Sequence, residues 1–200
     1  FIEGDVVYTV INGHRSEVVA SKDISIKGQH NLMNAMAATL VAKALDVPTA
    51  SLRATLKNFK GVEHRLEFVR ELHGVTYVND SKATNVDSVW YALQSFTRPI
   101  VVLLGGRDKG NDYAQLFPPV NTHVKAIVAI GESADKVMAA FAGMKPISKA
   151  INMEEAVQQA RGFSVSGDVV LLSPACASFD WFDNYEQRGK VFKELVMKLQ

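Results

Sequence analysis

The sequence predicts an α/β protein. Its larger part is a Rossmann-like, mostly parallel sheet flanked by helices, and a β-hairpin plus helices precedes it. Three observations carry this. From Leu66 onward, short apolar runs alternate with amphipathic stretches, the texture of successive βα units. Two of those runs, Ile100 to Leu104 and Val169 to Leu172, are apolar at every position, as strands covered on both faces are. Before "KGVEHR" the texture differs, with two β-branched runs around Asn12-Gly13 and then an alanine-rich helical stretch. A boundary near Gly61 divides the chain into residues 1–61 and 62–200.

Taken in order, "VVYTVINGHRSEVV" reads as a hairpin, because Asn-Gly accepts the positive φ angles of a two-residue turn. In "GQHNLMNAMAATLVAKALDV", Leu32, Met36, Leu40, Val41 and Leu45 recur at helical spacing up to Pro48. A shorter helix runs from Thr49, a residue suited to an N-cap, to Asn58. Expected strands follow at "LEFVREL", "VTYVN", "IVVLLG", "AIVAIG", "KPISKA" and "DVVLLS". Helices are expected near 86–95, 112–117, 133–142, 153–161 and 184–199, the last with a core-facing stripe of Phe192, Leu195, Val196 and Leu199.

Composition narrows the function. The 200 residues are 48% hydrophobic and 22% charged with net charge +1, and no basic run gives the footprint of a phosphate-gripping nucleic-acid binder. One cysteine cannot form an internal disulfide, and no apolar run has the length to span a bilayer. The cytoplasm is the expected compartment. No His, Cys or carboxylate grouping has metal-ligand spacing, and His14, His73 and His123 read as surface residues.

Chemistry concentrates in three loops expected at strand carboxyl ends, where open α/β sheets bind ligands: "NDSKATN", "GGRDKG" and "SPACAS". Together they bring Lys82, Lys109, Thr84 and Ser178 toward one cleft, a set suited to an anionic ligand bearing carboxylates or phosphates. Asp80 and Asn85 also fit a plainer role as caps of the next helix. "GGRDKG" matches neither GxxxxGK[ST] nor GxGxxG. Cys176, between two alanines, reads as a packing residue rather than a nucleophile.

"GQHNLMNAMAA", "GVEHRLEFV", "NDSKATNV", "GGRDKG" and "SPACASFDWFDNYEQRG" stand in this order along nearly the whole chain. The set resembles the Mur ligases, and within them the D-glutamate-adding branch. The resemblance implies that residues 1–61 are the tail of a central ATP-binding domain and 62–200 the amino-acid-binding C-terminal domain. It also implies that the chain is part of a longer protein, which opens here without an initiator Met and close to a strand. The implied activity is ATP-dependent, acid–amino-acid ligation of D-glutamate to UDP-N-acetylmuramoyl-L-alanine through an acyl phosphate, in a full-length enzyme expected to be a monomer. ATP and Mg²⁺ are implied, with the metal ligands expected upstream of Phe1.

Carried over residue by residue, Asn31 and Asn34 resemble the adenine-reading pair. His64, Arg65 and Asp80 resemble groups near the ribose and phosphates, and Lys82 the cation at the transferring phosphate; Lys82, Arg65 and Asp80 are the catalytic candidates. Thr84, Lys109, Ser178 and the backbone of Tyr185 resemble the holders of the two D-glutamate carboxylates, Tyr185 standing where the family usually has Phe. Two other readings remain at this point: a folylpolyglutamate synthetase-like ligase, and a Rossmann-like binding module without catalysis.

Overall fold

The computed structural model of the chain describes residues 1–26 and 28–200. They form two compact units, Phe1–Gly61 and Val62–Gln200, each taken here by itself. In the first, β1 (Ile2–Glu3), β2 (Val6–Ile11) and β3 (His14–Ala20) make an antiparallel sheet. Asn12 and Gly13 join β2 to β3 with φ of 50° and 78°, the two positive values that a type I′ turn requires.

Helices α1 (Gln29–Ala44) and α2 (Thr49–Asn58) complete this unit. Its core is small: Val7, Val18, Val19, Ile24 and Ala35 are buried, with Leu32 and Met36 packed against them. Leu40, Val41 and Leu45 share the helical period but stay exposed, so the stripe is only half covered. Pro48, not Thr49, occupies the N-cap position of α2.

The second unit holds a six-stranded sheet in the order β4-β5-β9-β6-β7-β8. β4 (Glu67–Leu72) and β5 (Val75–Asn79) form an antiparallel hairpin through His73-Gly74, with φ of 52° and 77°. The other strands, β6 (Ile100–Gly105), β7 (Val124–Ile130), β8 (Ile147–Lys149) and β9 (Val169–Leu172), pair in parallel.

Alternation sorts the strand side chains into two cores. Ile100, Val102 and Leu104 face α3 (Val86–Leu93), α4 (Phe117–His123) and α5 (Ala134–Ala140). Val101 and Leu103 face α6 (Met153–Phe163) and α7 (Tyr185–Lys198). The helix expected at 112–117 is a 3₁₀ turn, Tyr113–Leu116, running on into α4. Among the described residues no helix is long and apolar enough to cross a membrane.

This strand order positions the site. The chain leaves β5 through α3, skips one place to β6, works outward to β8, and returns through α6 to lay β9 in the gap. β5, β9 and β6 are therefore adjacent and parallel, and the loops after them lie side by side at the carboxyl edge.

Candidate active site

The loop after β5 is anchored by buried polar groups. Asn79, fully buried, has its amide Nδ2 2.9 Å from His64 Nδ1 and donates to Glu67 Oε2 at 2.9 Å, while its Oδ1 accepts the Ser81 N–H at 3.1 Å. Asp80 accepts the Leu66 N–H (3.1 Å) and the Ser173 hydroxyl (2.8 Å). Burial pushes its carboxyl up to about 7 despite those bonds and the nearby Arg65 charge. Asn85 caps α3, its Oδ1 accepting the Ser88 N–H at 2.8 Å, as the plainer sequence reading expects.

Lys82 is exposed beside these anchors; its ammonium donates to the Tyr185 hydroxyl at 2.9 Å and lies 4.6 Å from the ring centre. The Tyr185 backbone carbonyl accepts the Ser81 hydroxyl at 2.7 Å. Lys109, Thr84 and Ser178 stand on the loops after β6, β5 and β9, and among the described residues their side chains make no hydrogen bond within the protein. Arg65 is likewise exposed and without an ion pair among them. Of the adenine candidates on α1, Asn31 is buried and Asn34 exposed, three residues apart.

The loop after β6 packs closely against its neighbours. Gly106 has φ 139°, and a Cβ there would lie 2.4 Å from the Ala177 carbonyl oxygen, so only glycine fits. Arg107 and Ala177 exchange backbone hydrogen bonds of 2.9 and 3.2 Å, tying the β6 loop to the β9 loop. Cys176 is fully buried, its sulfur 3.3 Å from Asn111 Nδ2 and 3.4 Å from the Tyr113 hydroxyl, which agrees with the packing role.

One ligand-like cluster escaped the sequence reading: Glu63, His64 and Glu67 bring an imidazole and two carboxylates within 4.8 Å of one another. Lys193 already sits in it, its ammonium 2.6 Å from Glu63 and 2.8 Å from Glu67. Sequence reasoning also missed Arg188. It falls in register with the apolar α7 positions Phe192 and Val196, and a charge at a stripe position is the signal that would have found it.

Cations and hydroxyls on loops at the ends of parallel strands are a set that suits anionic ligands. The family model described as Mur ligase, glutamate ligase domain, matches residues 64–176, and the chain belongs to that family. It is 49% identical over 192 residues to the UDP-N-acetylmuramoylalanine–D-glutamate ligase of Chloroherpeton thalassium, a match covering 94% of this chain and 41% of that protein. It is 52% identical over 178 residues to the ligase of the same name from Salinibacter ruber, covering 88% and 39%. The chain thus spans about two fifths of the length of these relatives.

Among solved structures, a pseudomurein peptide ligase type C from Methanothermus fervidus superposes with TM-score 0.70 at 17% identity, covering 100% of this chain and 41% of that one. Mycobacterium tuberculosis folylpolyglutamate synthase complexed with ADP gives 0.67 at 15% identity, covering 97% and 48%. At these identities the likeness shows the fold alone.

Proposed function

We propose that the chain is the amino-acid-binding part of a longer D-glutamate-adding ligase of peptidoglycan precursor synthesis, with residues 1–61 the tail of its ATP-binding domain. The observation that carries this is the 49% identity over 94% of the chain to a protein of that name. The strand-end loops fit the same reading, since the three side chains assigned to the glutamate carboxylates have no internal partners. Lys109 would pair with one carboxylate while the Thr84 and Ser178 hydroxyls donate to the pair, charge-assisted bonds stronger than neutral ones. Lys82 would face the acyl phosphate formed from ATP and the UDP-N-acetylmuramoyl-L-alanine carboxylate.

Attack by the D-glutamate amine on that acyl group forms a tetrahedral centre and expels phosphate. The work asked of the protein is to hold the amine in line and to balance negative charge. Arg65 would extend toward the nucleotide phosphates, with Asn31 and Asn34 toward the adenine. The buried pair His64 and Asp80 would shape the loop from beneath, each engaged by internal hydrogen bonds.

Mg²⁺, which the family implies, does not fit the described residues. Among them, the one carboxylate and imidazole cluster is filled by the Lys193 ammonium. The test is phosphate release by the complete protein with ATP and UDP-N-acetylmuramoyl-L-alanine, comparing D-glutamate with L-glutamate. Turnover that needs D-glutamate is expected; turnover with neither isomer, or with L-glutamate alone, overturns the reading.

A further inference from the structure

Arg188 lies in the first turn of α7, 1% exposed, and among the described residues no carboxylate accepts a hydrogen bond from it. All its bonds go to two loops. Nε donates to the Ser81 hydroxyl at 3.0 Å and Nη2 to the Ser81 carbonyl at 2.9 Å. On the other side Nη2 donates to the Cys176 carbonyl at 3.1 Å and Nη1 to the Ala177 carbonyl at 3.2 Å. Ser81 immediately precedes Lys82, and Cys176-Ala177 immediately precede Ser178. Ala177 is bridged in turn to Arg107, two residues ahead of Lys109.

We infer that Arg188 is a positioning residue that fixes the separation between the β5 and β9 loops, and so the selectivity of the proposed glutamate site for a five-carbon over a four-carbon dicarboxylic amino acid. The inference rests on the glutamate reading above. A buried guanidinium costs desolvation that nothing local offsets with a full ion pair. Burial lowers its pKa to about 10, against the pull of Asp180 and Cys176, which leaves it charged with all its donors in place at neutral pH. Asp180 faces it but spends Oδ2 on the Glu132 N–H at 2.9 Å. A planar fork with fixed donor directions holds its four contacts at one spacing, which a flexible ammonium cannot do. If Thr84 and Lys109 take one carboxylate and Ser178 the other, that spacing is the ruler that measures the ligand.

Titration of the chain with D-glutamate and with D-aspartate, followed by NMR on the amides of residues 80–85 and 176–179, tests this. A rigid site discriminates a missing methylene by roughly 10- to 200-fold, and the unmodified chain is expected in that range. Arg188→Lys keeps the charge but loses the fork and is expected to bring the two ligands within about threefold of each other. Ser81→Ala, which removes the Nε acceptor together with the hydroxyl's 2.7 Å bond to the Tyr185 carbonyl, is expected to shift the ratio the same way and carries the test should Arg188→Lys fail to fold. Val157→Ala, in the core beneath α6, lowers the melting temperature without moving the ratio. An unchanged ratio in both loop variants overturns the positioning role and leaves the glutamate reading intact. An unmodified chain that binds neither amino acid overturns both.

Discussion

Asp80 illustrates how a residue at a site can be held in place at the expense of stability. Its folded pKa is raised from 3.8 to about 7, so the folded state keeps a proton that the unfolded chain releases. The stabilisation is complete below the unfolded value and is lost as pH climbs to the folded one, by about 4 kcal/mol in full. Asp80→Asn, which cannot ionise, is therefore expected to gain stability relative to the unmodified chain between pH 4 and about 8, as read by urea denaturation at several pH values; a difference independent of pH refutes the shift. Lys109→Ala in the complete protein should raise KM for D-glutamate by about 10- to 100-fold, the loss of a charge-assisted bond of roughly 1.5 to 3 kcal/mol, and leave KM for ATP alone. A rise for ATP instead would move Lys109 to the nucleotide. Cys176→Ala is expected to keep most turnover, since its sulfur packs among Asn111, Tyr113 and Ser133 and no step needs a thiol. At this scale the sequence singles out Lys82, Thr84, Lys109 and Ser178 because they stand in polar loops after apolar strands, although Ser178 is buried in the structure. Arg188 and Asn79 were hidden because their partners are mostly backbone groups and distant side chains, which leave no spacing to read.

At the scale of elements, α7 is held at both of its ends. Asn184 caps it, accepting the Gln187 N–H at 2.7 Å, and Arg70 of β4 donates to the Val196, Met197 and Leu199 carbonyls at its other end. Gly189 lets it approach β5: a Cβ there would lie 2.3 Å from His64 Nδ1 and 3.0 Å from the Asn79 amide. Gly189→Ala improves helix propensity by up to about 1 kcal/mol, yet overpacking costs typically 1 to 3 kcal/mol, so a net loss is expected. A lower melting temperature together with shifted His64 ring resonances would bear this out, and a rise in melting temperature would show that α7 yields freely. The strands were legible because sheet burial on both faces demands unbroken apolar runs. α4 was not, because Pro118 and Pro119 look like breakers, although in a first turn their missing N–H groups have no helical partners to lose. His73-Gly74 falls between two strands that the sequence does indicate, but their antiparallel pairing was not legible, since a histidine at positive φ carries no Asn-Gly signature.

For the molecule as a whole, the sequence indicates a parallel sheet and a boundary near Gly61, while the strand order β4-β5-β9-β6-β7-β8 depends on pairings far apart in the chain that no local pattern encodes. The two units also differ in how much they bury. Val62–Gln200 has an apolar core on each face of its sheet, with Ile100, Val101, Leu103, Val170 and Leu171 fully covered. Phe1–Gly61 encloses only a handful of residues and leaves Met33, Leu40, Val41 and Leu45 more than half exposed. Burial of a side chain such as Leu or Val contributes roughly 1.5 to 3 kcal/mol, so the unit with one small core has far less to oppose its chain entropy. Opening is accordingly expected in steps. Native-state hydrogen exchange of the 200-residue chain should show the amides of β6, β7 and β9 exchanging slowest, at the free energy of global unfolding. Those of β2, β3 and α1 should exchange through an earlier opening that leaves the larger sheet protected. Equal protection across both units, moving together with added urea, would mean that the chain unfolds as one cooperative body and that burial within each unit does not govern its stability.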